Sequence, residues 1–344
     1  MAYSSILKPS ALMNTKLYTG NGGTLNITGV GFQPDWTWTK RRDNTGNHSL
    51  YDAVRGVTKR IESDTADAEQ TLATGLTAFG TDGFTLGSGG DSNGNNETYV
   101  SWNWKAGTAV SGSTTGSGTA KTYTGSVNTT SGFSIIKYTG NGTAGHTIPH
   151  HLGAAPQMII VKALSTNDDW MVGHTAAGFN QFMILNSTAR DATGTQFNST
   201  VPTSSVFSIG SNNNMNQNNN SFVAYSFTNI KGFSKFGGYT GNGNADGTFI
   251  YTGFKPAFVM VKLVSATENW YIFDNKRSDF NLSDDALKAN TNSAEIANWG
   301  VGFDFLSNGF KARATDGAIN AGEDYLYMAF AEEPLVASNF NVAT

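Results

Sequence analysis

One pentapeptide constrains this chain more than any other feature. Tyr-Thr-Gly-Asn-Gly occurs at Tyr18–Gly22, Tyr138–Gly142 and Tyr239–Gly243. A Gly-x-x-Pro follows each time, at Gly31–Pro34, Gly153–Pro156 and Gly253–Pro256. Six residues past each Pro stands Lys40, Lys162 or Lys262, and eight residues past each lysine stands His48, Trp170 or Trp270. Phe84, Phe207 and Phe310 each precede an aromatic by 15 residues (Tyr99, Phe222, Tyr325), and Trp104, Phe227 and Phe330 follow five residues later. Ordered marks at near-fixed spacing, three times over, identify three copies of one unit of roughly 100 residues.

The period within a copy is that of strands. Large and small residues alternate in Trp36-Thr37-Trp38-Thr39-Lys40. The aligned Met158–Lys162 and Phe258–Lys262 are continuous apolar runs, as expected of strands buried on both faces. Composition agrees. Gly, Asn, Thr and Ser (40, 35, 41 and 30) make up 146 of 344 residues, and only 14% are charged. Thr and aromatics suit strands, Gly and Asn suit turns, and the mixture is a poor helix builder. We therefore expect an all-β chain of three tandem β-sandwich modules of jelly-roll or lectin-like type, at 1–107, 132–231 and 232–344. A Gly/Ser/Thr-rich stretch over 108–131 reads as a linker, with Tyr123-Thr124-Gly125 a faint echo of the repeat. Short helices are expected within 65–76 and 283–297.

Several function classes are disfavoured. Net charge is −4 with no basic block, which argues against nucleic acid as a partner. No apolar run reaches membrane-spanning length, and the first residues lack a signal-peptide core. With no Cys there is neither a thiolate metal site nor a Cys nucleophile. His48, His146, His150, His151 and His174 form no zinc spacing, and no Gly-x-Ser-x-Gly elbow is present. Asp52 and Asp274 occupy equivalent positions twelve residues past their lysines, but His174 stands there in the second copy, so no carboxylate pair recurs. No catalytic residue, metal site or cofactor is assigned.

The repeat also sorts binding candidates. Trp36, Trp38, Trp102 and Trp104 suggest a sugar-stacking platform, but their equivalents are Met, Ile, Phe and Tyr, so core packing is the better reading. Trp170 and Trp270 sit in more polar surroundings and are candidates for a surface or inter-module contact, against a loop Trp folded back on its own sandwich. Asp91-x-Asn93-x-Asn95-x-Glu97 spaces its oxygens as some calcium loops do but lacks their sixth-position Gly, and reads better as a hairpin tip. The Asn-rich tip of the second copy, with Asn214 and Asn218, offers amide groups for glycan contact.

These strings resemble a family of repeated domains in structural and tail-fibre proteins of marine and cyanobacterial tailed phages. The resemblance rests on Tyr-Thr-Gly-Asn-Gly, the Gly-x-x-Pro–apolar–Lys strand and Ser49–Gly56. It rests also on Asp82–Gly87, Tyr99–Gly107 and Met328–Pro334. It implies a non-enzymatic virion protein, assembled in the host cytoplasm without a signal peptide. Such a protein would be a homo-oligomeric tail fibre or fibre-like appendage that binds other virion proteins and a host-surface glycan. The alternatives are a capsid decoration or connector protein, and a glycan-cleaving enzyme.

Overall fold

The computed structural model describes residue 6 and residues 8–333. The outer ends of the first and third expected modules lie outside the described residues. Regular structure is almost all antiparallel strand. The helices among the described residues are one 3-10 turn, Pro9–Ala11, and two single turns, Gly90–Asn93 and Asn213–Asn216. The helices expected within 65–76 and 283–297 are absent; both stretches are turns and short strands, and the second buries Ser283 and Asn290.

One strand order occurs three times. An opening strand (Met13–Thr19, Phe133–Thr139, Ser234–Thr240) pairs with a closing strand (Thr98–Trp104, Ser221–Phe227, Asp324–Glu333). The closing strand pairs with the lysine strand (Trp36–Arg41, Met158–Ala163, Lys255–Leu263). The lysine strand in turn pairs with a fourth strand (Ser49–Asp52, Met171–His174, Trp270–Asp274). Register recurs as well: Trp36 faces Trp104, Met158 faces Phe227 and Phe258 faces Phe330. A smaller three-stranded sheet accompanies each large one, for example Leu25–Ile27, Gly83–Leu86 and Leu76–Gly80 in the first repeat. Apolar side chains of both sheets meet between them, as Tyr51 of the large sheet does with Ile27, Phe84 and Leu86 of the small one. The chain is thus all-β sandwich, as composition and periodicity predict.

The second face of each large sheet is buried too. Trp36, Trp38, Trp102 and Trp104 of the first repeat share one cluster with Met158, Ile160 and Tyr225 of the second and Phe258, Met260 and Phe330 of the third. Ring centroids lie 4.5 Å apart for Trp36 and Tyr225, 5.7 Å for Trp104 and Phe258, and 6.2 Å for Phe227 and Phe330. The three repeats therefore share a central core instead of standing as separate beads. The Trp set is core, as its apolar equivalents suggest.

The linker expected at 108–131 is also corrected. Thr108–Ser113 and Thr122–Asn128 are strands that extend the second large sheet at its opening-strand edge. Thr108–Ser113 is exposed on the added edge and shows no apolar alternation to read, while Thr122–Asn128 buries Tyr123, Ser126 and Val127. Gly125 is required by contact: a Cβ there would stand 2.5 Å from the Ile135 carbonyl oxygen.

The pentapeptide owes its recurrence to one clamp. Asn93, Asn216 and Asn320 are wholly buried at equivalent places in the hairpin tips. Each side-chain oxygen accepts the backbone N–H of the motif's Asn (Asn21, Asn141, Asn242) at 2.8–3.0 Å. Each amide nitrogen donates to carbonyls on both sides of the turn, as Asn216 does to Thr143 and Gly210. The motif tyrosine donates to the carbonyl of the residue before the clamp, Tyr18 to Ser92, Tyr138 to Met215 and Tyr239 to Ile319, at 2.7–2.8 Å. The first motif Gly admits no Cβ, which would lie 2.1 Å from the Gly94 oxygen at Gly20 and 1.9 Å from the Ala321 oxygen at Gly241. Only the second Gly is left-handed, with φ of 66°, 75° and 62°. Removing a buried amide strands several partners at once. Asn216→Ala should lower stability by roughly 2–4 kcal/mol in urea titration, and the exposed Asn218→Ala by less than about 0.5 kcal/mol.

Candidate functional site

The three lysines, His48, His174, Asp52 and Asp274 gather at three seams between repeats, whereas His146 and His150 bond within the second repeat, to Asn141 and Thr203. In each seam, a lysine and a ring N–H from one repeat reach backbone carbonyls of another. Lys162 Nζ donates to the Ala66 oxygen (2.9 Å) and Trp170 Nε1 to the Glu62 oxygen (2.8 Å). Lys262 donates to Thr188 (3.4 Å) and Trp270 Nε1 to Ile184 (3.0 Å). Lys40 donates to Asn292 (3.4 Å) and His48 Nε2 to Lys288 (3.0 Å). Backbone bonds lock the same seams: Glu69 N–H to Leu164, Asp191 to Val264 and Glu295 to Arg42, at 2.8–3.0 Å. The second repeat thus leans on the first, the third on the second and the first on the third. The ring closes within one chain.

His48 shows how an imidazole substitutes for an indole. Trp38 Nε1 donates to His48 Nδ1 at 2.7 Å, so the proton sits on Nε2 and points at the Lys288 carbonyl. Full burial pushes the His48 pKa down to about 3, which keeps this neutral tautomer.

A second set of bonds crosses the same seams through the Asp52, His174 and Asp274 positions. Asp52 accepts from Tyr225 OH (2.7 Å), and Asp274 accepts from Trp102 Nε1 (2.9 Å). Each carboxylate also caps two backbone N–H groups and pairs with a buried arginine, Arg55 or Arg277. In the second repeat the position facing His174 is Met328, which has no N–H or O–H to offer. His174 instead donates from Nε2 to the neighbouring Tyr327 carbonyl (3.3 Å), while its Nδ1 accepts the Ala176 N–H (3.1 Å). Ala177 stands where the arginines stand, so the charge pair is deleted whole. Burial lowers the His174 pKa to about 4 and keeps it neutral.

The structure separates the binding candidates. Trp170 and Trp270 are both fully buried, which excludes a surface role and places both in inter-repeat contacts. Asn214 is half-buried, its N–H capped by Asn212; Asn218 is exposed beside Gly142. Asp91 and Glu97 do not converge on a cation position: Asp91 pairs with Arg60 and Glu97 with Arg41. Among the described residues no three His, Asp or Glu side chains gather as a metal site, and no helix is long and apolar enough to cross a membrane. What the sequence did not signal is a groove at each seam, between an opening strand and the loop after the Asp52, His174 or Asp274 position. The groove volumes are about 560 Å³ between first and third repeats, 420 Å³ between third and second, and 150 Å³ between second and first.

A family model described as "Domain of unknown function (DUF7483)" matches residues 8–334, and the chain belongs to that family. No curated protein and no solved structure matches it.

Two outcomes test the seams. His174→Asp buries a carboxylate opposite Met328 and should cost about 3–5 kcal/mol, as an unpaired buried charge does. Adding Met328→Tyr and Ala177→Arg should restore a good part of that in a chemical-denaturation cycle. The second outcome concerns pH. Burial lowers Lys40, Lys162 and Lys262 to about 8 each. Unfolded lysine keeps its proton to roughly pH 10.4, so between about 8 and 9 unfolding takes up protons and stability rises with pH. That window lies below about pH 10, where unfolded tyrosines lose protons that buried Tyr18, Tyr138 and Tyr239 keep. The urea midpoint should climb across that window in the native chain, and Lys162→Met should reduce the slope by about a third.

Proposed function

We propose that this member of the family is a non-enzymatic structural protein of a virion, a tail fibre or fibre-like appendage that contacts the host surface. The observation that carries the non-enzymatic part is the use made of the reactive groups. Three lysines, His48, His174, Asp52 and Asp274 are all buried, and all are engaged in seam bonds. A general acid, base or nucleophile must reach substrate, and these side chains are committed to holding the repeats together. The virion assignment rests on the resemblance of the repeat motifs to phage structural proteins. Host contact falls to exposed polar tips such as Asn218, with weak sites adding through multivalency in a homo-oligomer.

A capsid decoration or connector role is the second reading. One observation favours it: the ring is already closed within one chain, so no trimer is required to bury the large sheets. Cryo-electron microscopy of the particle decides between them. Density projecting from the tail is expected; density lying flat across capsid subunits transfers the protein to the second reading. Purified protein incubated with host polysaccharide should release no reducing ends, and release would overturn the non-enzymatic assignment.

A further inference from the structure

We propose that the outward edge of the opening strand Met13–Thr19 is a docking site for one extended, uncharged, Ser/Thr/Gly-rich segment of a partner protein, which joins the sheet as an antiparallel strand. The three equivalent edges carry the argument. In the second repeat the edge of Phe133–Thr139 is already filled by this chain's own Thr122–Asn128, from Tyr123 opposite Tyr138 to Asn128 opposite Phe133. In the third repeat the edge of Ser234–Thr240 is capped at both ends, with Gly238 between them left open among the described residues. Asn229 Oδ1 accepts the Phe236 N–H (2.8 Å), Ile230 bridges Ser234, and Thr248 Oγ1 donates to the Thr240 carbonyl (2.8 Å).

The first repeat has neither device. Lys105 N–H to the Leu12 oxygen and Gly20 N–H to the Glu97 oxygen fix which positions face the closing strand. Thr15, Leu17 and Thr19 consequently turn their N–H and C=O groups outward, where they find no partner among the described residues. Beside them lies the largest of the three grooves, about 560 Å³, lined by Thr15, Leu17, Asn275 and Lys276 among others. Two polar atoms of that lining, Thr15 Oγ1 and Asn275 Oδ1, are enclosed without a hydrogen-bond partner. Leu17 is 38% exposed. An open edge with unpaired backbone groups is a template for strand addition, and alternate side-chain pockets then give selectivity. The in-chain occupant of the equivalent edge, Thr-Tyr-Thr-Gly-Ser-Val-Asn, defines the chemistry that fits.

The probe is a synthetic peptide of residues 108–128, added to the full-length protein and followed by amide hydrogen exchange. Exchange of the Thr15, Leu17 and Thr19 amides should be fast in the free protein and slow at least about tenfold with peptide, the equivalent of one hydrogen bond or more per amide. Leu17→Pro removes an outward N–H while leaving the inner ladder intact; it should weaken peptide binding at least about tenfold, where Leu17→Ala changes it by less than about threefold. Absence of protection at millimolar peptide overturns the proposal, as does equal binding by the Pro and Ala variants. Protection of the three amides in the free monomer overturns it too, because the chain then covers its own edge. Concentration-dependent self-association lost in Leu17→Pro also overturns it, in favour of a second copy. The exchange measurement on the native chain stands even if Leu17→Pro fails to fold.

Discussion

Everything in this structure depends on burying the second face of each large sheet. A sheet with one apolar face is satisfied by a single covering layer. Here the lysine and closing strands of the second and third repeats are apolar on both faces, and those of the first bury Thr37, Thr39, Ser101 and Asn103 behind their tryptophans. The small sheets cover only one face of each. The remaining three faces, carrying Trp36, Met158, Phe258 and their neighbours, find one another around a common centre. Burial of a large apolar side chain contributes roughly 1.5–3 kcal/mol, and this centre contains a dozen of them or more. The seams, the buried lysines and the grooves all follow from sheets meeting at that centre.

Much of this was legible in the sequence. The pentapeptide, the lysine strand and the closing aromatics located the repeats, because each mark answers a local demand. A glycine that cannot carry a Cβ against Gly94 or Ala321 recurs as glycine. The doubly apolar run Met158–Lys162 announced burial on both faces. Mutual burial was not legible, because no single strand states which sheet will cover it. Trp170 and Trp270 read equally as surface or inter-module residues for a related reason: their polar neighbours, such as Asp168 and Glu268, lie at the seam rim while the indoles pass inside. The Thr108–Ser113 strand was missed because an exposed edge strand needs no apolar alternation.

The repeats are alike where they fold and unlike where they touch. Asp52 meets Tyr225 and Asp274 meets Trp102, but His174 meets a backbone carbonyl because Met328 has nothing to donate. Where the carboxylate disappears, the arginine disappears with it. Three identical subunits would be obliged to place one side-chain pair at every seam. Three linked copies can vary each seam separately, and can cover one sheet edge with a hairpin, cap another with a loop and leave the third bare.

Ring closure also sets a timetable for biosynthesis. The first repeat emerges from the ribosome with four tryptophans on an uncovered face, and their final covering includes Phe258, Asp274 and Phe330. The bond between Trp102 and Asp274 spans 172 residues of sequence. At roughly 5–20 residues per second the exposed aromatic surface waits about 10–30 s for its complement. During that interval a nascent chain is vulnerable to pairing with its neighbours on the same messenger. Yield of soluble protein should therefore depend on translation speed and chaperone supply more than the closed ring's own cohesion would suggest.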